Sequence, residues 1–310
     1  MSLVTARYQA VQRDVTQIFK TRSEAATPFY PQLCTVIPSN SLDEKYSMLG
    51  GLPGMREWIG ERKFKELRAG NFTIVNKHFE SSLGIEKTDI DDDRLGTLST
   101  QVMQLADEAT YHPDELLFDI AGTAAESAAC FDGQYFYDTD HVWGDSGTQS
   151  NDLTYEVADA DATLATVAEF KASFHAALKK LLSYKNDQGK FYNRPKVGKL
   201  GSLICAVPMT QYETAVKAFE QVAIAYGESN VVLEKPTVVP IQYYTNDDAW
   251  DLFFTGGLLK PFIFQARQPL KFQVKGAEDI ETKILKAMTE ARYNIGYGAW
   301  WTAVRTTFTT

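Results

Sequence analysis

Apolar residues early in the chain fall on one face of a helix: Val4, Tyr8, Val11, Val15 and Ile18 are separated by four, three, four and three positions. The pattern then stops. TRSEAATPFYPQLCTVIPSNS holds three prolines and little periodicity, which predicts an extended arm outside the packed body. Gly50, Gly51, Pro53 and Gly54 mark a turn. From Arg56 to Asp93 the residues are first charged and then rich in β-branched and aromatic types. Phe72, Ile74, Asn76 and His78 alternate with Thr73, Val75, Lys77 and Phe79, and neither face is consistently apolar. This predicts a two-faced β-ribbon projecting over 56–92, with an ordinary strand pair in a sheet as the alternative.

Helical spacing returns at Leu95, Leu98, Val102, Leu105 and Ala109, behind Asp91, Asp92 and Asp93, whose charges suit a helix start. His112-Pro113-Asp114 predicts a second helix carrying Leu116, Leu117 and Ile120 and stopping near Gly122. Asp132-Gly133 lies between aromatic residues and predicts a hairpin, and VWGDSGTQSND reads as a loop. Leu164, Val167, Phe170, Phe174, Leu178 and Leu181 predict a long helix. LGSLICAVP predicts a buried strand, and Thr210 to Glu213 a capping box. Strands are expected around 230–233, 237–244, 250–254, 261–264 and 270–274. One long closing strand should carry Tyr293, Ile295, Tyr297, Ala299 and Trp301 on one face. Helices and strands without strict alternation indicate an α+β fold.

Composition adds limits. The 310 residues allow one large domain or two. With 31 basic against 40 acidic residues the formal charge is −9, which excludes a dedicated nucleic-acid binder with a basic footprint. It suits a wall facing packed DNA, because a strongly basic lining would hold phosphates. Cys34, Cys130 and Cys205 are odd in number and widely spaced, so neither a disulfide framework nor a zinc site is expected. The first residues lack a signal-peptide pattern, and no apolar run is long enough to cross a membrane as a helix.

Candidate chemistry is sparse. Gly144-Asp145-Ser146-Gly147 matches the nucleophile loop of chymotrypsin-like proteases. The histidine context those enzymes need upstream is missing, however: Thr123-Ala124-Ala125 is followed by Glu126. Asp138, Asp140 and His141 are metal-ligand types, but His78, His112 and His175 supply no partner cluster. Asp89, Asp91 and Asp93 open like a calcium loop that fails at Arg94 and Thr100. GGLPG lacks the Lys-Ser/Thr of a phosphate loop. No catalytic residue, cofactor or metal is therefore expected.

An ordered series of motifs remains: Val36-Ile37-Pro38-Ser39, Tyr46, Leu49-Gly50, Pro53 and Arg56-Glu57-Trp58-Ile59-Gly60-Glu61-Arg62. Ile74 to Glu80, Asp89 to Asp93, His112-Pro113, Phe131 to Phe136, Asp140-His141 and Ser150-Asn151 follow, and the closing Ala-Arg-Tyr-Asn-Ile-Gly-Tyr-Gly-Ala-Trp-Trp matches more loosely. This series resembles the Mu-like prophage major head subunit family, often called gpT.

The resemblance implies the tailed-phage capsid fold named after phage Hong Kong 97. It would divide the chain into an N-terminal helix and arm (1–55), an extended β-loop (56–92), a peripheral domain with a spine helix (93–150 and 255–310) and an axial domain (151–254). It implies a self-assembling shell subunit in the virion capsid, made in the bacterial host cytoplasm. The implied partners are itself, scaffold, portal and decoration proteins, and packaged DNA by proximity, with no membrane. Intersubunit contacts are expected at Arg56, Glu57, Trp58, Glu61, Arg62, Lys77, Phe79 and Glu80. The alternatives are a nanocompartment shell of the same fold, or a hydrolase using Ser146 or Asp140 and His141.

Overall fold

A four-stranded sheet, a five-stranded sheet and a separate two-stranded pair organise the described residues. The structure, a computed structural model, describes residues 3–49, 69–86, 88, 95–122, 130–193, 202–220, 235–275 and 284–310. The first helix, α1 (Leu3–Ala25), buries Val11 and Val15 of the face that the spacing predicts, and beside the half-buried Ile18 it also buries Phe19. A short turn of helix, α2 (Tyr30–Leu33), leads into β1 (Cys34–Pro38). The arm is thus packed where it was expected to be free. β1 pairs in parallel with β9 (Phe262–Lys275), and Leu33 and Cys34 are fully buried. A five-residue strand flanked by prolines leaves too short an apolar alternation to read from sequence.

The ribbon is divided in a different way from the expected one. β2 (Asp43–Leu49) and β3 (Ala69–Val75) form an antiparallel pair of seven residues a side. After Asn76 the chain turns into β4 (Lys77–Glu86), which leaves that pair and joins β10 (Ile284–Tyr297) over ten residue pairs. The alternating segment therefore serves two sheets, which is why neither face was consistently apolar. Residues 50–68, with the predicted Gly/Pro turn and the Arg56–Arg62 stretch, lie outside the described residues, as do Asp91, Asp92 and Asp93.

One 28-residue helix, α3 (Leu95–Gly122), runs straight through Pro113, where two helices were predicted. An interior proline costs about 3 kcal/mol. Burial on both sides of it, at Val102, Ala106, Leu117 and Ala121, favours continuity. Asp114 just beyond it is tied down by the Phe29 and Tyr30 N–H groups at 2.7 and 2.6 Å. The four-stranded sheet, in the order β1-β9-β10-β4, packs one face on α1 and α3. Phe19 stacks on Phe272 with centroids 4.0 Å apart.

At Asp132-Gly133 the turn forms, with Gly133 at φ 88°, but none of the described residues beside it, 130–140, lies in a strand. Phe136 and Tyr137 are instead buried in the core. β5 (Asp152–Glu156) and α4 (Val167–Ser183) follow. Leu164 lies ahead of that helix, 59% exposed, and the capping box is Thr166 with Glu169. β6 (Leu203–Pro208) is buried throughout, as predicted.

Thr210 is inside α5 (Met209–Glu220) and not at its cap. Its hydroxyl donates to the Asp247 carbonyl, and Glu213 pairs with Lys217. The strand expected at 230–233 lies outside the described residues. β7 (Thr237–Ile241) and β8 (Ala249–Phe254) lead into β9, a single 14-residue strand where two were predicted. The closing strand is the reverse case. β10 ends at Tyr297, Trp300–Thr302 form a 3-10 turn, and β11 (Ala303–Thr309) begins a different sheet. Its order is β5-β11-β8-β6-β7.

Candidate subunit-contact region

The predicted contact residues that the structure describes all lie on β4. Lys77 is exposed, opposite Tyr293. Glu80 is exposed, opposite Glu290, and accepts a hydrogen bond from the Ser82 hydroxyl at 2.8 Å. Phe79 turns the other way. Its ring lies 4.5 Å from His112 and 4.9 Å from Tyr293, inside its own subunit between the sheet and α3. Alternation along a strand decides this: residues 78, 80 and 82 share the outer face and 79, 81 and 83 the inner one. His78 on the outer face sits 3.9 Å from Glu290. Arg56, Glu57, Trp58, Glu61 and Arg62 lie outside the described residues, on the chain between β2 and β3.

The root of that connection is built in detail. Tyr46 stacks on Phe72, and its hydroxyl donates to Gln265 Oε1 at 2.8 Å. Gln265 is fully buried, and its Nε2 donates to the Ile74 carbonyl at 3.2 Å. Asn76 donates to the Ser39 hydroxyl and the Ser41 carbonyl. Glu44 accepts from the Asn40 and Ser41 N–H groups and the Ser39 hydroxyl, which hold its pKa below the ordinary glutamate range. Leu42 and Val75 are 63% and 53% exposed at the same end of the hairpin, since Leu42 O accepts the Asn76 N–H. Two apolar side chains left open together at this end of the hairpin suit contact with another molecule.

A buried ion pair links two neighbouring strands of the five-stranded sheet and ties them to the end of α3. Arg305 on β11 faces Asp251 on β8 in register, and its guanidinium reaches both carboxylate oxygens at 2.9 and 3.0 Å. It also donates to the carbonyls of Ala121 and Gly122 at 2.8 and 3.3 Å, closing the C-terminal end of α3 with a positive charge. Asp251 has no exposed surface, and Tyr244 donates its hydroxyl to it. Burial, the largest single influence, opposes the guanidinium's charge, but the attraction and hydrogen bonds of Asp251 together with Tyr137 and Tyr244 raise the Arg305 pKa above its ordinary value. Sequence reading missed this pair. The signal was there: one charge inside Ala-Trp-Asp-Leu-Phe-Phe and one inside Ala-Val-Arg-Thr-Thr-Phe, because a charge in a buried strand requires a partner.

The hydrolase candidates are committed elsewhere. Ser146 is buried. Its hydroxyl donates to the Gly147 carbonyl at 2.8 Å and accepts the Trp143 N–H at 3.0 Å. His141 has no exposed surface and stacks on Trp300 at 3.9 Å. Its Nδ1 is 2.7 Å from Asp132 and its Nε2 is 3.2 Å from Asn151, so both nitrogens are engaged in bracing the 130–151 loop.

A family model described as the Mu-like prophage major head subunit gpT matches residues 8–164 and 235–309. The Mu-like prophage FluMu major head subunit of Haemophilus influenzae (strain ATCC 51907 / DSM 11121 / KW20 / Rd) is 37% identical over 150 residues, 48% of each chain. The major capsid protein of Escherichia phage Mu is 30% identical over 141 residues, 46% of each chain. The chain thus spans about half the length of the curated relatives it matches. In the solved procapsid of bacteriophage JBD30, one chain is 25% identical with a TM-score of 0.58. That alignment covers 100% of this chain and 77% of that one.

Proposed function

This chain belongs to the Mu-like prophage major head subunit family and has the fold of tailed-phage capsid proteins, and from that premise we propose that it is the subunit from which a phage or prophage head is built. The observation that carries the reading is the family match on both sides of residues 165–234. It joins the helix, hairpin and spine-helix half to the closing strands β9, β10 and β11. Its partner is first of all itself. Scaffold, portal and decoration proteins belong to the same reading, as does packaged DNA held by enclosure, within a virion capsid assembled in the host cytoplasm. The role is structural and not catalytic, in keeping with Ser146 and His141 being spent on the loop they brace.

In this reading 1–55 is the helix and arm, 56–92 the extended loop, 93–150 with 255–310 the peripheral domain and 151–254 the axial domain. β11 crosses back to complete the axial sheet beside β5 and β8. Arg56, Glu57, Trp58, Glu61 and Arg62 on the extended loop, with Lys77, Phe79 and Glu80 on β4, form the contact set. Glu80 on the outer face and Lys77, exposed where β4 begins, would meet a neighbour directly, whereas Phe79 would hold β4 from within.

Arginine makes bidentate contacts with carboxylates. Truncating one partner of a desolvated pair costs about 2–5 kcal/mol, against about 0–1 kcal/mol for an exposed pair. Each copy repeats the contact, so the penalty accumulates over a shell. Arg56→Glu with Arg62→Glu is expected to give folded, soluble assemblies that do not close into heads, as seen by electron microscopy beside circular dichroism. A normal yield of heads would show that these arginines are surface decoration.

A further inference from the structure

The β2–β3 hairpin is fitted to the body at both of its ends, through Ile74 against Gly296 near its base and through Gly70 one pair from its far end. A Cβ built on Gly296 of β10 would lie 2.5 Å from Ile74 Cδ1 and 2.7 Å from Ile74 Cγ1. One built on Gly70 would lie 2.6 Å from the Phe131 carbonyl oxygen, 2.8 Å from the Phe131 ring and 2.9 Å from Trp143. Carbon atoms in good contact stand about 3.5–4.0 Å apart. At Gly70 the hairpin approaches the body's backbone to a distance that only a hydrogen on Cα permits, and at Gly296 a Cβ would require the buried Ile74 side chain to shift. Polar contacts lie between and beside the two: Tyr46 to Gln265 at 2.8 Å, Gln265 to the Ile74 carbonyl at 3.2 Å, and Asn294 Nδ2 to the Val75 carbonyl at 2.7 Å. A lone two-stranded hairpin is marginal in water, so these contacts are what order it.

We propose that Gly70, Gly296, Ile74, Tyr46 and Gln265 form a stiff joint that sets the direction in which the hairpin leaves the body, and through it the surface of a second copy that the extended loop meets. They are positioning residues, since all of them lie inside one subunit and act on assembly through the hairpin. The consequence for shells rests on the head-subunit reading; the stiffness of the joint does not.

The test is a double-mutant cycle read by amide hydrogen exchange on the isolated subunit and by electron microscopy of assembled material. Gly296→Ala is expected to speed exchange in 43–49 and 69–75 about tenfold, the ratio that corresponds to about 1.4 kcal/mol. Exchange in α3 should be unchanged and closed shells lost. Gly96→Ala is the control, because a Cβ there meets nothing within 4 Å. In an Ile74→Ala background, adding Gly296→Ala is expected to change little, since the atoms it would strike are gone.

An equal effect of Gly296→Ala in both backgrounds would overturn the joint, as would normal exchange and normal shells from the single variant. Should Gly296→Ala fail to fold, Tyr46→Phe removes the bond to Gln265 at nearly constant volume. It is expected to speed exchange at the same amides, and unchanged exchange overturns the proposal. Absence of shells from the unaltered chain would count against the head-subunit reading alone, because the exchange cycle decides the joint without them.

Discussion

Arg305→Leu should cost the fold about 3–5 kcal/mol, the penalty for leaving a buried charge without its partner. Asp251 has no exposed surface through which water can replace the guanidinium, and the Ala121 and Gly122 carbonyls lose a donor at the same time. With total stabilities of about 5–15 kcal/mol, much of the folded margin goes. At about 2–4 °C per kcal/mol for a chain of this order of size, the thermal midpoint should fall on the order of 10 °C. Arg305→Leu combined with Asp251→Leu should recover part of the loss, since both charges go together. It should not recover all of it, because the end of α3 stays uncapped. Thermal unfolding followed by circular dichroism checks both, and a single variant within 2 °C of the parent would show that the pair contributes nothing.

Deleting 64–88 should unfold the four-stranded sheet, whereas excising only 50–68 with a short glycine bridge should leave the body folded and prevent stable shells. The first deletion removes β3 with Ile74, and β4 with its ten pairs to β10 and with Phe79, Leu83 and Ile85. Burying such side chains contributes about 1.5–3 kcal/mol each. Even with Phe79 and Leu83 discounted for partial exposure, the loss approaches the whole stability. The second deletion keeps every β2–β3 pair and removes only the chain beyond it. Circular dichroism beside microscopy separates the cases: a folded 64–88 deletion would show that β4 is dispensable to the body, and normal shells from the 50–68 excision would show that the loop is dispensable to assembly.

Sequence reading succeeded where one face of a helix is buried along its length, as in α1 and the first half of α3, because periodicity records that burial directly, and at β6, where an unbroken apolar run marks a strand buried throughout. Within 56–92 the described part follows the alternative of a strand in a sheet, because β3 and β4 share an alternating stretch yet turn to different sheets, and alternation carries no information about partners. Pro113 misled because the local cost of an interior proline is visible in sequence, whereas the packing that outweighs it is not. Asp132-Gly133 gave the turn correctly but not strands, since Phe136 and Tyr137 were claimed by the core. The contact residues were legible only through resemblance. Gly296 and Ile74, 222 positions apart by number, had no local signal at all.

Negative-stain electron microscopy of the purified full chain, over a range of concentration and salt and with a scaffold supplied, tests the central claim most directly. The account predicts rings, capsomers or closed shells of uniform curvature. A compact monomer under every condition, confirmed by light scattering, would contradict it.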